Sequence, residues 1–313
     1  MSTPSAVTAP TASGRAKPKR SAEGNAALRY AGAQDPNPRL RNPDWLAGDF
    51  IRRRFRTLAE TVWLRKVALP FYEGRFPGAY AYQTARTRLF DAVLLDAVQR
   101  GGVRQVLMLG AGCDSRGLRF QRQIGDATVF ELDFPATQAR KMGLLRRAGR
   151  PGWDSIRYIP VDFEVDDWPT LLQHAGFDHE QRSVVLWEGV AMFLEPSAAH
   201  RTLEFVHGCA EGSSIVFDYV VADALTQPDR YLGGQQVARY MTRGEEHWKF
   251  GVAHDDVETV VGASGLQLWG LWTPEALAAE FIGAERGSPP RPVLGFHGVA
   301  HAGVGLPTVA RAS

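Results

Sequence analysis

Hydrophobic positions follow two regimes along this chain. From Ala22 to Gly101 they recur at helical spacings, as in Trp45, Phe50, Phe55, Leu58, Val62 and Leu64, with Pro70, Gly74, Pro77 and Gly78 as breaks. A long helix is predicted from Tyr80 to Val98, with an apolar face of Leu89, Ala92, Val93, Leu95 and Ala97. Beyond Gly101, short apolar runs alternate with amphipathic segments. Strands are predicted near 104–110, 127–132, 156–161, 183–188 and 213–219, and helices near 115–121, 136–148, 167–174 and 196–210. Alternation of this kind implies a parallel sheet covered on both faces. The nearly unbroken apolar runs 184–187 and 214–217 suit strands buried on both sides. After Asp218 the pattern turns irregular, with Pro228, Gly233 and Gly234 interrupting residues 221–253, which read as a lid insertion. A helix near 254–263 and strands near 266–271 and 292–300 complete the expected sheet.

This pattern divides the chain into a tail over 1–20, an N-terminal helical cap over 21–101, a ligand-binding core over 102–220, the lid over 221–253 and a C-terminal part over 254–313. The tail is rich in Ser, Thr, Ala, Pro and Gly and is expected to be disordered. It carries Arg15, Lys17, Lys19 and Arg20 and no acid. The net charge of +2 therefore belongs to the tail, and the folded body offers no basic surface for nucleic acid. No apolar run approaches the roughly 18 residues of a membrane span, and no secretory leader is evident. Two cysteines, Cys113 and Cys209, make no disulfide framework and have no zinc spacing, so no metal is expected and a reducing cytoplasmic setting is. Oligomeric state is not readable.

Chemistry concentrates where the first predicted strand collapses into a Gly-Ala-Gly turn, Gly110 to Gly112, and where the second ends on an acid about 20 residues later, Asp133. This is the skeleton of a nucleotide-binding βαβ unit. The glycines let backbone approach a ligand, and an acid at that strand end accepts hydrogen bonds from a ribose diol. Glu131 is the alternative acid if the strand ends earlier. The turn departs from the dinucleotide fingerprint, however: Ser115 stands where G-x-G-x-x-G needs its third glycine. Asp114 puts a negative charge where a pyrophosphate would need donors. A phosphate-free adenosyl ligand fits better, and S-adenosylmethionine is the common one. The rival readings are an NAD(P)-dependent oxidoreductase on the same βαβ logic and a noncatalytic S-adenosylmethionine-binding protein.

Three motifs, Leu109-Gly-Ala-Gly-Cys-Asp-Ser-Arg116, Phe130-Glu-Leu-Asp-Phe-Pro135 with Lys141, and Trp187-Glu-Gly-Val-Ala-Met-Phe-Leu194, resemble the leucine carboxyl methyltransferase family, which includes bacterial natural-product O-methyltransferases. The likeness runs from about Ser21 to His301. It implies a doubly wound, mostly parallel seven-stranded class I methyltransferase sheet and S-adenosylmethionine as methyl donor. It implies that Gly110 and Gly112 contact the donor's methionine part, that Asp162 and Phe163 hold adenine, and that Glu188 lies beside the methionine or the reaction centre. Arg86 would bind the donor's carboxylate, and Arg29 stands where the family has another basic residue. Asp114 has two open readings, a helix cap or a partner of the donor's ammonium. Phe193 replaces a tyrosine of close relatives.

Methyl transfer from a sulfonium needs in-line alignment and a dry pocket. A carboxylate acceptor needs no base, whereas a hydroxyl does. His247, in the lid, is the candidate base, and Tyr219, ending the fifth strand beside Asp218, is the candidate substrate contact. His297 and His301 alternate with apolar residues on the last strand and read as structural. The acceptor is expected to be a small molecule, selected by the N-terminal helices and residues 221–253.

Overall fold

The computed structural model describes residues 20–241, 247–284 and 289–307. The expected disordered tail, apart from Arg20, lies outside them. Four helices come first: α1 (Arg20–Ala33), α2 (Arg53–Glu60), α3 (Val62–Arg75) and α4 (Ala79–Gln99). Then strands and helices alternate: β1 (Gln105–Leu109), the short α5 (Arg116–Arg119) and α6 (Gln121–Ile124), β2 (Thr128–Asp133), α7 (Pro135–Ala148) and β3 (Arg157–Pro160). The alternation continues with α8 (Trp168–His174), β4 (Ser183–Trp187), α9 (Pro196–His207) and β5 (Ser214–Val220). After α10 (Gly234–Met241) in the lid come α11 (Val257–Ala263), β6 (Gln267–Trp272), α12 (Pro274–Leu277) and β7 (His297–Gly303).

The seven strands form one sheet in the order β3-β2-β1-β4-β5-β7-β6. The first five are parallel, and β7 runs antiparallel to both neighbours. Strand order reverses between β1 and β4. That leaves a crevice at their carboxyl ends, where open α/β sheets bind ligands. All of β1, β4 and β5 is buried, as their apolar runs predicted.

Side chains alternate across this sheet. Val106, Met108, Leu186, Val216 and Val220 pack with α4 on one face. Leu107, Leu109, Val185, Trp187, Phe217 and Tyr219 pack on the other. The helix α4 is buried nearly all round from Ala79 to Leu94 because it is held between the sheet and the N-terminal helices. The segment α1 to 50 forms its own small core around Tyr30, Phe50 and Cys113, which closes over the β1 turn. The last strand begins later than its apolar run suggests. Val293 and Leu294 are buried but lie outside the ladder, which Pro289, Pro290 and Pro292 cannot join as donors, and Phe296 contributes only its carbonyl, to the Val221 amide at 2.9 Å.

Candidate active site

A cavity of about 660 Å³ opens at the carboxyl ends of β1, β2 and β4, bordered by α1, α3, α4, α10 and the irregular segment 247–249. Its volume is within the roughly 300–1,000 Å³ usual for small-molecule sites. The turn after β1 makes its floor. Gly110 has φ +65°, and a Cβ there would collide with Val190. Only glycine meets both demands. Asp133, at the end of β2, accepts the amide of Phe134 at 2.6 Å and also the amide of Gly112, and so ties the two strand ends together.

Glu131, the alternative acid, does not reach the cavity. Its Oε2 is 2.6 Å from Lys141 Nζ inside the protein, and burial raises its carboxyl to about 7 despite that partner. Asp162 and Phe163 follow β3 and line the cavity; Asp162 Oδ1 accepts the Glu164 amide at 3.0 Å, and Phe163 packs edge-on to Trp168. Asp114 accepts the Arg116 amide at 2.8 Å just before α5, whose N-cap is Ser115, and it also lines the cavity. Burial would raise its carboxyl, but Arg116 and Lys141 hold it at about 2, so it is ionised.

Below the cavity runs a chain of alternating charges that no local motif announces. Arg86, on α4, donates to Asp218 Oδ2 at 2.6 Å and to Gln83 Oε1 at 2.7 Å, with its Nε 3.1 Å from Glu188 Oε1. Arg116 sits between Glu188, at 2.7 Å, and Asp91, at 2.8 Å. Arg29 donates to Asp44 at 2.8 Å and to the Cys113 carbonyl at 2.8 Å. Burial works against charge on Asp218, but Arg86 keeps its carboxyl below the ordinary range. Glu188 Oε2 is buried at the cavity with an ion-pair neighbour but no hydrogen bond. Tyr82 and Arg116 were missed, and Asp218 was noted only beside Tyr219, because their roles depend on partners far along the chain. The one local hint was the i,i+4 pair Tyr82 and Arg86 on a single helical face.

The two catalytic candidates separate. His247 is exposed and lines the cavity mouth. Tyr219 does not line it: the side chain is fully buried on the opposite sheet face, and its hydroxyl pairs with His254 Nδ1 at 2.7 Å. The correction has a simple cause. Residues 218 and 219 point to opposite faces, and it is Asp218 that faces α4. His297, read as structural, is buried and stacked on Tyr82, and it lines the cavity with Tyr82 and Trp248. Among the described residues no cluster of His, Cys, Asp or Glu is arranged to hold a metal ion, and no helix is long and apolar enough to cross a membrane.

Sheet order and crevice define a class I methyltransferase fold. The chain belongs to the leucine carboxyl methyltransferase family, whose model matches residues 22–207. A relative from Mycolicibacterium smegmatis, provisionally named an S-adenosyl-L-methionine-dependent methyltransferase, is 33% identical over 207 residues, or 66% of this chain and 56% of the relative. One of the same name from Mycobacterium bovis is 32% identical over 214 residues, 65% of this chain and 68% of its own. This chain thus spans little more than half of the first relative. The fold is similar to a Thermobifida fusca structure described provisionally as a methyltransferase, with TM-score 0.54, 16% identity, and coverage of 92% of this chain and 96% of that one. A Streptomyces avermitilis structure from a family without assigned function gives TM-score 0.55 and 16% identity, covering 77% of this chain and 91% of that one.

Proposed function

We propose that this protein is a cytoplasmic S-adenosylmethionine-dependent methyltransferase that O-methylates a carboxylate or hydroxyl of a small natural-product-type metabolite, without a metal, nucleic acid or membrane as partner. One observation carries the reading: a glycine turn, an acid at the end of β2 and the nearly buried Glu188 at the end of β4 meet in a single cavity. The residues suit the donor chemically. Asp114, Asp133 and Glu188 are acids around a ligand that carries an ammonium, a ribose diol and a sulfonium.

Asp133 accepts the ribose hydroxyls. Asp162 accepts the adenine amine while Phe163 packs against the base. Glu188 and Asp114 face the ammonium, and Gly110 and Gly112 allow close approach of the methionine part. Arg86 meets the donor's carboxylate with the N–H groups left over from Asp218 and Gln83, since a guanidinium has five. When bound, S-adenosylmethionine supplies an electrophilic methyl on a positively charged sulfur. Tyr72, Phe76, Tyr82 and Trp248 form an aromatic wall that holds the acceptor and excludes water. His247 is the candidate base at the cavity mouth.

Incubation with methyl-labelled S-adenosylmethionine and a panel of hydroxylated and carboxylated aromatic metabolites tests the reading. Label transferred to an acceptor oxygen supports it. Binding of S-adenosylhomocysteine with no transfer to any acceptor would leave the noncatalytic binder instead.

A further inference from the structure

Helix α10 closes one side of the cavity, and two glycines set where it starts. A Cβ on Gly233, at φ +75°, would collide with the Pro77 carbonyl oxygen and with Leu294. At Gly295 the chain passes close to Leu232, whose carbonyl accepts the Gly295 amide at 3.1 Å. These backbone approaches, open at 233 only to glycine, seat the start of α10 on the turn between α3 and α4. Phe76 caps α3 one residue before Pro77, so the same seat fixes α10 against that ring.

Val237, Tyr240 and Met241 stand at i, i+3 and i+4 on one face of α10, and all three line the cavity. Tyr240 meets Phe76 edge-on, with centroids 5.6 Å apart and planes at 85°, and Tyr72 lies 5.2 Å from the same ring. Tyr240 is nevertheless 55% exposed. A ligand beside it would bury apolar surface that the protein leaves open. An aromatic ligand gains more than that area, because ring pairs attract beyond it.

Charge limits what can enter. Among the described lining residues five are Asp or Glu, against three Lys or Arg. Arg29 is held by Asp44, Arg86 by Asp218 and Glu188, and Lys249 by Glu164 and Glu195. The surplus of acids suits a cationic donor. It leaves an anionic group on the acceptor's body with no unpaired guanidinium or ammonium to meet it, and desolvating an unpaired charge is costly. His247 stands exposed at the mouth, where a charge pair contributes little.

Building on the proposed function, we propose that Val237, Tyr240 and Met241 of α10, closed against Tyr72 and Phe76, select the acceptor. The acceptor is then a flat ring compound with no charge beyond its reacting oxygen. Selection acts on the body of the molecule and is the same for a hydroxyl or a carboxylate oxygen.

The test is calorimetry on the full chain saturated with S-adenosylhomocysteine, with 2-naphthol and 6-hydroxynaphthalene-2-sulfonate as probes. The two share a ring and a hydroxyl and differ by one charge. Wild type is expected to bind 2-naphthol at least about tenfold more tightly, a comparison that needs no variant to fold. Tyr240→Ala should weaken 2-naphthol about three- to tenfold, as loss of an aromatic contact implies. Tyr240→Phe, which keeps the ring, should stay within about twofold of wild type, and both variants should bind S-adenosylhomocysteine as wild type does. Equal affinity for the sulfonate, no binding of 2-naphthol, unchanged 2-naphthol binding in the Ala variant, or a Phe variant as weak as Ala overturns the inference alone. Failure of wild type to bind S-adenosylhomocysteine overturns the proposed function beneath it.

Discussion

Asp133 already accepts two backbone amides, so its lone pairs are aimed before a ligand arrives. Asp133→Ala removes both the aim and the charge. Charge-assisted hydrogen bonds contribute about 1.5–3 kcal/mol each, so the variant should bind S-adenosylhomocysteine about 10- to 150-fold more weakly by calorimetry while Glu131→Gln changes affinity little. Gly110→Ala tests the turn: a left-handed backbone and a collision with Val190 should together cost about 1–3 kcal/mol in urea unfolding. Gly110, Asp114 and Asp133 were legible because their motifs are local in sequence. The partners of Asp218 and the place of His297 at the cavity were not, because sheet parity decides which of two neighbours faces α4, and Tyr219 points to the other face.

Histidine 297 also gives a pH signature. Its folded value of about 4 lies below the ordinary 6.5, so the unfolded chain binds the extra proton first. The stability this contributes is fully present above 6.5 and is lost as pH falls through 4. Removing the titration with His297→Phe should therefore flatten the loss of stability between pH 6.5 and 4, by roughly 3 kcal/mol, in unfolding curves taken across that window. An unchanged slope would mean that the ring is not held neutral.

At the scale of elements, α4 and β5 are joined by the ion pair of Arg86 and Asp218, both buried. Breaking one side of such a pair leaves an uncompensated charge and costs about 3–5 kcal/mol. Asp218→Asn is expected to lose that much in chemical denaturation, because Tyr82 and Gly189 donate to different carboxylate oxygens and the single amide oxygen can keep only one of them. The strands themselves were legible, since doubly buried strands read as apolar runs, and all seven lie near their predicted positions. The start of β7 was not. Burial and ladder pairing part company over 293–296, and hydrophobicity reports only burial.

The whole molecule places a mostly parallel sheet under the N-terminal helices on one side of the site and, among the described residues, 221–241 and 247–253 on the other. Lys249 and Phe250 donate backbone hydrogen bonds to the Met192 carbonyl at 2.7 and 3.2 Å, which docks the 247–250 segment on the turn after β4. A ligand filling this enclosure stabilises the folded state by mass action. At about 100 times its dissociation constant, the gain is roughly 2.7 kcal/mol, or about 5–10 °C in Tm for a chain of this size. S-adenosylhomocysteine should produce that shift in a thermal melt, and NAD should produce none.

The most direct measurement is isothermal titration of S-adenosylhomocysteine into wild type and Asp133→Ala, with NAD titrated in parallel. Saturable one-to-one heat for S-adenosylhomocysteine alone, weakened at least about tenfold by the substitution, is the predicted result. Heat from NAD instead, or affinity for S-adenosylhomocysteine that survives loss of the Asp133 carboxylate, would contradict the site as described.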